Sequence, residues 1–225
     1  MATARRAIDA GDDLMERFIR HEGIAVPLLI DNINTDQIIP SREMKRVSKK
    51  GLGDGLFANM RYSDAAAGGR TPNSDFMLNH ARYRGATILL AGSNFGCGSS
   101  REHAVWALHE YGFRVIVAVS FGTIFFENCI ANGILPITLA RPDIERITEA
   151  AVPIEVDLEQ KMLTTNAGPL AFDLEERKRQ LLIAGLKPLD LALQHQDAIA
   201  GFIARDRTVR PWVYDRSTSM TKEPM

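Results

Sequence analysis

Leu89-Leu90-Ala91-Gly92-Ser93-Asn94-Phe95-Gly96-Cys97-Gly98-Ser99-Ser100-Arg101-Glu102-His103-Ala104 reads as a buried strand, a three-glycine turn and a helix that starts at its paired serines. That order gathers backbone N–H groups, two hydroxyls and one guanidinium around a single point. Helix N-termini carry unpaired donors and partial positive charge, so the point has the character of an anion site. Glycines let the main chain approach a ligand where a Cβ would collide.

Working outward, the pattern is that of an α/β layer. Ala86 to Ala91 is a continuous apolar run, as for a strand covered on both faces. Ser100 to Tyr111 has helical spacing with Ala104, Ala107, Leu108 and Tyr111 on one face, and Gly112 stops it. Val115 to Val119 is a second buried strand, Gly122 to Asn132 a second helix closed at Gly133, and Leu135 to Leu139 a third strand. This β-α-β-α-β rhythm predicts parallel strands. Upstream, Ile24 to Ile30 is an apolar strand interrupted by Pro27, which assigns it to a sheet edge. Ser41 to Gly55 and Ala65 to Asn73 are rich in charge, glycine and proline and read as loops. Downstream come a helix from Asp143 to Glu149, hairpin strands at Ile154 to Leu158 and Met162 to Thr165, and helices from Glu175 to Ala184 and Asp197 to Arg205. The expected organisation is a polar leader over 1–13, one domain over 14–205, and a poorly ordered polar tail over 206–225.

Composition narrows the function classes. The 225 residues are 45% hydrophobic and 24% charged, as in an ordinary globular protein with a real core. A formal net charge of −1 gives no pull toward nucleic acid or anionic lipid. No apolar run approaches the ~20 residues that span a bilayer. Met1 to Gly23 holds five acidic residues and no apolar stretch typical of a secretion signal, so a cytoplasmic protein is expected. Cys97 and Cys129 are too few thiols to hold an iron–sulfur cluster.

Familiar motifs fail on spacing. A P-loop would need Gly and Lys where Cys97 and Gly98 stand, and a dinucleotide fingerprint would need a small residue in place of Arg101. The nucleophile elbow lacks its second glycine after either Ser99 or Ser100. His103 and His109 lie on different sides of the helix, which is poor geometry for a shared metal, and no metal site is expected. An anion site with a serine and an arginine remains. Ser99 or Ser100 could instead be a plain N-cap completed by Glu102. Cys97 is read as a polarizable filler, Cys129 as core, His103 as structural and Arg61 as a side chain covering apolar surface.

The glycine-rich run, together with Asn34-Thr35-Asp36-Gln37-Ile38-Ile39-Pro40, closely resembles the 3-isopropylmalate dehydratase small subunits of the aconitase superfamily. Gly55-Leu56-Phe57-Ala58-Asn59-Met60-Arg61-Tyr62, Pro72-Asn73-Ser74-Asp75-Phe76, Phe121-Gly122-Thr123-Ile124-Phe125 and Asn132-Gly133-Ile134-Leu135-Pro136 match in the same order. The resemblance implies a swivelling β/β/α domain with a mostly parallel core sheet, as in the aconitase C-terminal domain. It implies a hydro-lyase of leucine biosynthesis that moves a hydroxyl along a small diacid, active only with a large subunit that carries a [4Fe–4S] cluster. Carried onto this chain, Ser99 is the catalytic base, Ser100 and Arg101 hold a substrate carboxylate, and Asp36 orients groups in the active site. The loop after Pro40 faces the substituent that distinguishes substrates. Family members carry an aromatic residue and then leucine there, whereas this chain has Glu43 and Met44, followed by Lys45. A carboxylate beside an isopropyl group is costly. Either Glu43 turns to solvent or pairs with Arg42 or Arg46, or the substrate is a smaller or more polar diacid of the methylmalate or homocitrate type. From another class, the same turn would serve a non-catalytic module that binds anionic metabolites.

Overall fold

The computed structural model describes residues 15–44, 50–64, 68–150, 153–193 and 195–214. The expected leader over 1–13 lies outside these residues, as do Lys45, Arg46 and residues 215–225. In chain order the regular elements are β1 (Arg20–Gly23), β2 (Ala25–Leu28), α1 (Thr35–Ile38), α2 (Ala58–Arg61), β3 (Ile88–Ala91), α3 (His103–Tyr111), β4 (Val115–Ala118) and α4 (Thr123–Ala131). There follow β5 (Leu135–Thr138), α5 (Arg141–Ala150), β6 (Ile154–Asp157), β7 (Met162–Thr165), β8 (Gly168–Ala171), α6 (Glu176–Ala184), α7 (Pro188–Leu193) and α8 (Gln196–Val209).

Two sheets organise the first of two compact units, which ends at Lys187. The parallel sheet runs β2-β3-β4-β5. Its register pairs Leu89 with Ile116 and Ile116 with Pro136. Strands that neighbour in sequence neighbour in space, as the β-α-β-α-β pattern demands. Pro27 and Pro136 fall on the two edge strands, β2 and β5, where a missing N–H costs no ladder bond. Alternation along the inner strands sorts their side chains. Leu89, Ala91, Ile116 and Ala118 join the main core with Ala104, Ala107 and Leu108 of α3 and Phe125 and Cys129 of α4. Ile88, Leu90, Val115 and Val117 are equally buried on the opposite face. Both faces are covered, so these strands read as unbroken apolar runs.

The second sheet, β1-β6-β7-β8, is antiparallel. The hairpin β6–β7 was legible as alternation; β1 and β8 were not. Four-residue strands with mixed composition leave too little periodicity to register. The chain passes from β1 into β2 across Ile24 alone, and a His21 Nε2 to Thr87 Oγ1 hydrogen bond of 2.7 Å links the two sheets.

The second unit begins at Pro188. In it α8 runs to Val209, past the expected end at Arg205, and a 3-10 turn follows at Pro211–Val213. Asp206, expected to open a poorly ordered tail, is buried and accepts hydrogen bonds from Arg210 Nε at 2.7 Å and the Tyr214 hydroxyl at 2.8 Å.

Candidate active site

The loops that leave the C-terminal ends of β2, β3 and β4 converge, where ligands bind in open parallel sheets. Short parallel bridges Asn34–Cys97 and Phe95–Phe121 prolong the sheet into these loops. Asn32 N donates to Ser93 O at 2.8 Å, Gly96 N to Ile33 O at 2.7 Å and Thr35 N to Cys97 O at 3.0 Å, which laces the first loop to the second. The glycine at 96 serves this lacing rather than a ligand. Its φ is +74°, and a Cβ there would stand 2.1 Å from the Phe125 ring. The turn therefore lies directly on α4.

The helix start differs from the sequence expectation. Helix α3 begins at His103 with Glu102 as its N-cap, three residues after Ser100. Gly98 has φ +93°, which turns the chain before the serines, and residues 99–102 bridge to the helix without regular structure. The first-turn N–H groups close onto the chain itself: Val105 N and Trp106 N both donate to Glu102 O, at 3.0 and 3.1 Å. Neither serine caps the helix, and both are exposed. Nor does Glu102 complete a capping box. Its carboxylate accepts Asn132 Nδ2 at 2.8 Å, and Asn132 Oδ1 accepts the Trp106 indole N–H at 3.0 Å. The turn is thus pinned to the end of α4, where Asn132 precedes Gly133.

Asp36 sits on α1, whose start is a full capping box. Asn34 Oδ1 accepts Gln37 N, and Gln37 Oε1 accepts Asn34 N, each at 2.9 Å. This fixes Asp36 opposite the glycine turn, where its carboxylate pairs with Arg101 Nη1. The pair lies in an open cleft of about 470 Å3, lined by Asp36, Pro40, Ser41, Arg42, Asn59 and Arg101. Of the residues singled out in the sequence, Asp36 and Arg101 meet in this cleft. Ser99 and Ser100 stand on the adjoining turn but do not line it. Met44 is half-buried and packs against the main core.

Glu43 resolves in one of the expected ways, with an added partner. Its side chain is 16% exposed and pairs with Arg42 Nε at 3.4 Å and with Arg70 Nη2 at 2.7 Å. It is absent from the cleft lining, where Arg42 stands instead. Arg42 Nη2 donates to Asn59 Oδ1 at 2.5 Å. Arg61 lies over the rings of Tyr62 and Tyr111, at 5.3 and 4.9 Å, as a cation covering aromatic surface. Cys97 Sγ lies 3.6 Å from Asn32 O as a small filler. Cys129 is buried in the core, and burial pushes its thiol up, well above the usual range. The His103 ring lies tilted against Trp106, with ring centroids 4.7 Å apart. Among the described residues no grouping of His, Cys, Asp and Glu is placed to hold a metal ion.

Comparison with known proteins shows the family of the chain. Residues 15–142 match the aconitase C-terminal domain family. The 3-isopropylmalate dehydratase small subunit of Cupriavidus necator is 51% identical over 207 residues, covering 89% of this chain and 99% of its own length. That of Rhodospirillum centenum is 45% identical, covering 88% of this chain and 98% of its own. The chain belongs to the 3-isopropylmalate dehydratase small-subunit family. A solved 3-isopropylmalate dehydratase structure from Methanocaldococcus jannaschii aligns with TM-score 0.60 at 25% identity, covering 81% of this chain and 98% of that one. Membership confirms the α/β fold expected from the sequence, a parallel four-stranded sheet joined to an antiparallel one. It also makes the chain the partner-dependent subunit of a hydro-lyase.

Sequence reasoning missed three residues that shape this family member's cleft. Asn59 lay within a family-matching segment and was visible there. Arg42 was seen in a basic loop and as a partner for Glu43, not as a residue of the cleft. Arg70 lay in a stretch read as an ordinary loop, and no sequence signal ties it to Glu43.

Proposed function

We propose that this chain is the small subunit of 3-isopropylmalate dehydratase, acting in the cytoplasm to interconvert 2-isopropylmalate and 3-isopropylmalate with a large iron–sulfur subunit. The observation that carries the site is the Asp36–Arg101 pair. Residues 65 positions apart are brought together at the C-terminal edge of the parallel sheet, beside the Ser99–Ser100 turn. A guanidinium held by a carboxylate on one side presents its remaining donors in a fixed fork, suited to a substrate carboxylate. Ser100 adds a second donor to that carboxylate.

The reaction removes a carbon-bound proton and a hydroxide from adjacent carbons, then returns them in the opposite sense. Ser99 Oγ takes the proton as an alkoxide and becomes a hydroxyl. The C–H electron pair forms the double bond as hydroxide departs. An alkoxide at neutral pH needs a nearby positive charge and exclusion of water, and Arg101 supplies the charge. In the second half the same oxygen returns a proton to the neighbouring carbon. Two thiols in the whole chain, one of them in the core, do not furnish cluster ligands. The large subunit's [4Fe–4S] cluster would act as the Lewis acid on the departing hydroxyl. Water exclusion would come from the same partner, since the cleft is open on this chain.

The test is anaerobic mixing of the chain with its large subunit, following the unsaturated diacid by ultraviolet absorbance. The pair turns over and the isolated chain does not. Ser99→Ala abolishes most turnover while assembly persists; near-normal turnover would remove Ser99 from the mechanism. The polar lining of Ser41, Arg42 and Asn59 favours a second substrate class, methylmalate or homocitrate-type diacids. A substrate panel on the assembled enzyme separates the two.

A further inference from the structure

Thr35 stands directly before Asp36 at the start of α1 and is 1% exposed. Among the described residues its hydroxyl has no hydrogen-bond partner. Burial of an unpaired hydroxyl costs stability and returns nothing to the free subunit. Its surroundings indicate where a partner would come from. Thr35 N donates to Cys97 O at 3.0 Å, which holds the residue against the glycine turn. Thr35 Oγ1 then lies 3.7 Å from the point where a Cβ on Gly98 would stand. The orphan hydroxyl faces the residue immediately before Ser99. On the other side, residues 99–102 carry no regular structure, and helix α3 takes hold only at His103.

We propose that Thr35 is a positioning residue for Ser99. When the diacid is bound in the assembled enzyme, the Thr35 hydroxyl accepts the Ser99 main-chain N–H. It thereby sets the turn with the serine oxygen toward the carbon-bound proton. The hydroxyl is buried beside the turn in advance, so closing the turn supplies the missing hydrogen bond. This rests on the reading of Ser99 as the base.

Thr35→Val, close to isosteric, tests it in the complex with the large subunit. We expect kcat to fall about tenfold or more, since misplacement of a reacting group lowers the rate of the chemical step. KM should stay within about twofold, because the carboxylate contacts are untouched. The melting temperature of the isolated chain should hold or rise, as the unpaired hydroxyl is gone. Thr35→Ser should recover most of kcat. Full kcat in Thr35→Val would overturn the proposal, and so would an equal loss in Thr35→Ser. Should the valine variant fail to fold, Thr35→Ser and Thr35→Ala differ by the hydroxyl alone, and equal kcat in that pair overturns it. Ser99→Ala, measured alongside, separates the two ideas. Retained turnover there removes the base assignment itself, whereas loss there with full Thr35→Val activity removes only the role of Thr35.

Discussion

Glu110 anchors one wall of the cleft from a distance, and its removal should be measurable twice over. It sits near the C-terminal end of α3, and its carboxylate accepts the main-chain N–H groups of Gly51 and Leu52 at 2.5 Å and of Gly53 at 2.9 Å. These residues lead through Leu56 and Phe57 to Asn59, which lines the cleft. Gly51 is exposed, so water replaces its bond at little cost in Glu110→Ala. Leu52 and Gly53 are buried, and each stranded N–H costs about 1 kcal/mol, the low end for such groups because the loop can open to water. The sum, about 2 kcal/mol, lowers the melting temperature by roughly 4–8 °C in a chain of this size. Glu110→Gln keeps an accepting oxygen and should lose about half as much. The pH dependence has a defined sign. Partial burial pushes the Glu110 carboxyl up, but the three N–H groups and the nearby Lys50 charge outweigh it, so it titrates below the usual glutamate range. A lowered folded-state value means stability present above the unfolded value and lost as pH falls through the folded one. The gap between wild type and Glu110→Ala should be full at pH 7 and narrow as pH falls through the folded-state value, toward the half that a neutral accepting oxygen retains. Thermal melts by circular dichroism across that range are the assay. A melting temperature within a degree of wild type at pH 7, or a gap unchanged in acid, would refute the clamp.

Gly96→Ala should cost about 3 kcal/mol or more, since the residue has φ +74° and the added Cβ meets the Phe125 ring at 2.1 Å; an unshifted denaturant midpoint would contradict this. Glu43→Gln removes the charge that holds Arg42 and Arg70, and should raise KM for the diacid about two- to fivefold with kcat nearly unchanged. Its effect on stability should stay below about 1 kcal/mol, as for other pairs that solvent reaches. A fall in kcat at constant KM would speak against this placement of Arg42. In thiol labelling of the native chain, half-buried Cys97 should react and Cys129 should wait for unfolding, because burial holds its thiol protonated; equal rates would show the core to be open.

The parallel layer was legible because each of its elements announces itself locally. Ile88 to Ala91 and Val115 to Ala118 are apolar throughout, and Gly112 and Gly133 mark the ends of the helices that follow them. The antiparallel sheet was half legible: β1 and β8 form by pairing with β6 and β7, and pairing partners are not written in a four-residue stretch. The start of α3 was misplaced for a related reason. Ser99 and Ser100 are good capping residues, yet the left-handed turn at Gly98, the Arg101–Asp36 pair and the Glu102–Asn132 bond hold residues 99–102 out of the helix. Local preference yields there to contacts made from distant parts of the chain.

By itself, the order of residues determined the family and the parallel sheet and pointed to the groups proposed to carry chemistry, because strand burial, helix stops and a glycine-rich turn act over short range. Tertiary structure alone decided which of those groups meet. Asp36 found Arg101, Glu43 found Arg70, and Thr35 was left with an unpaired hydroxyl beneath the serine turn. Such pairings depend on how loops from separate strands converge at a sheet edge, and no local spacing encodes that convergence.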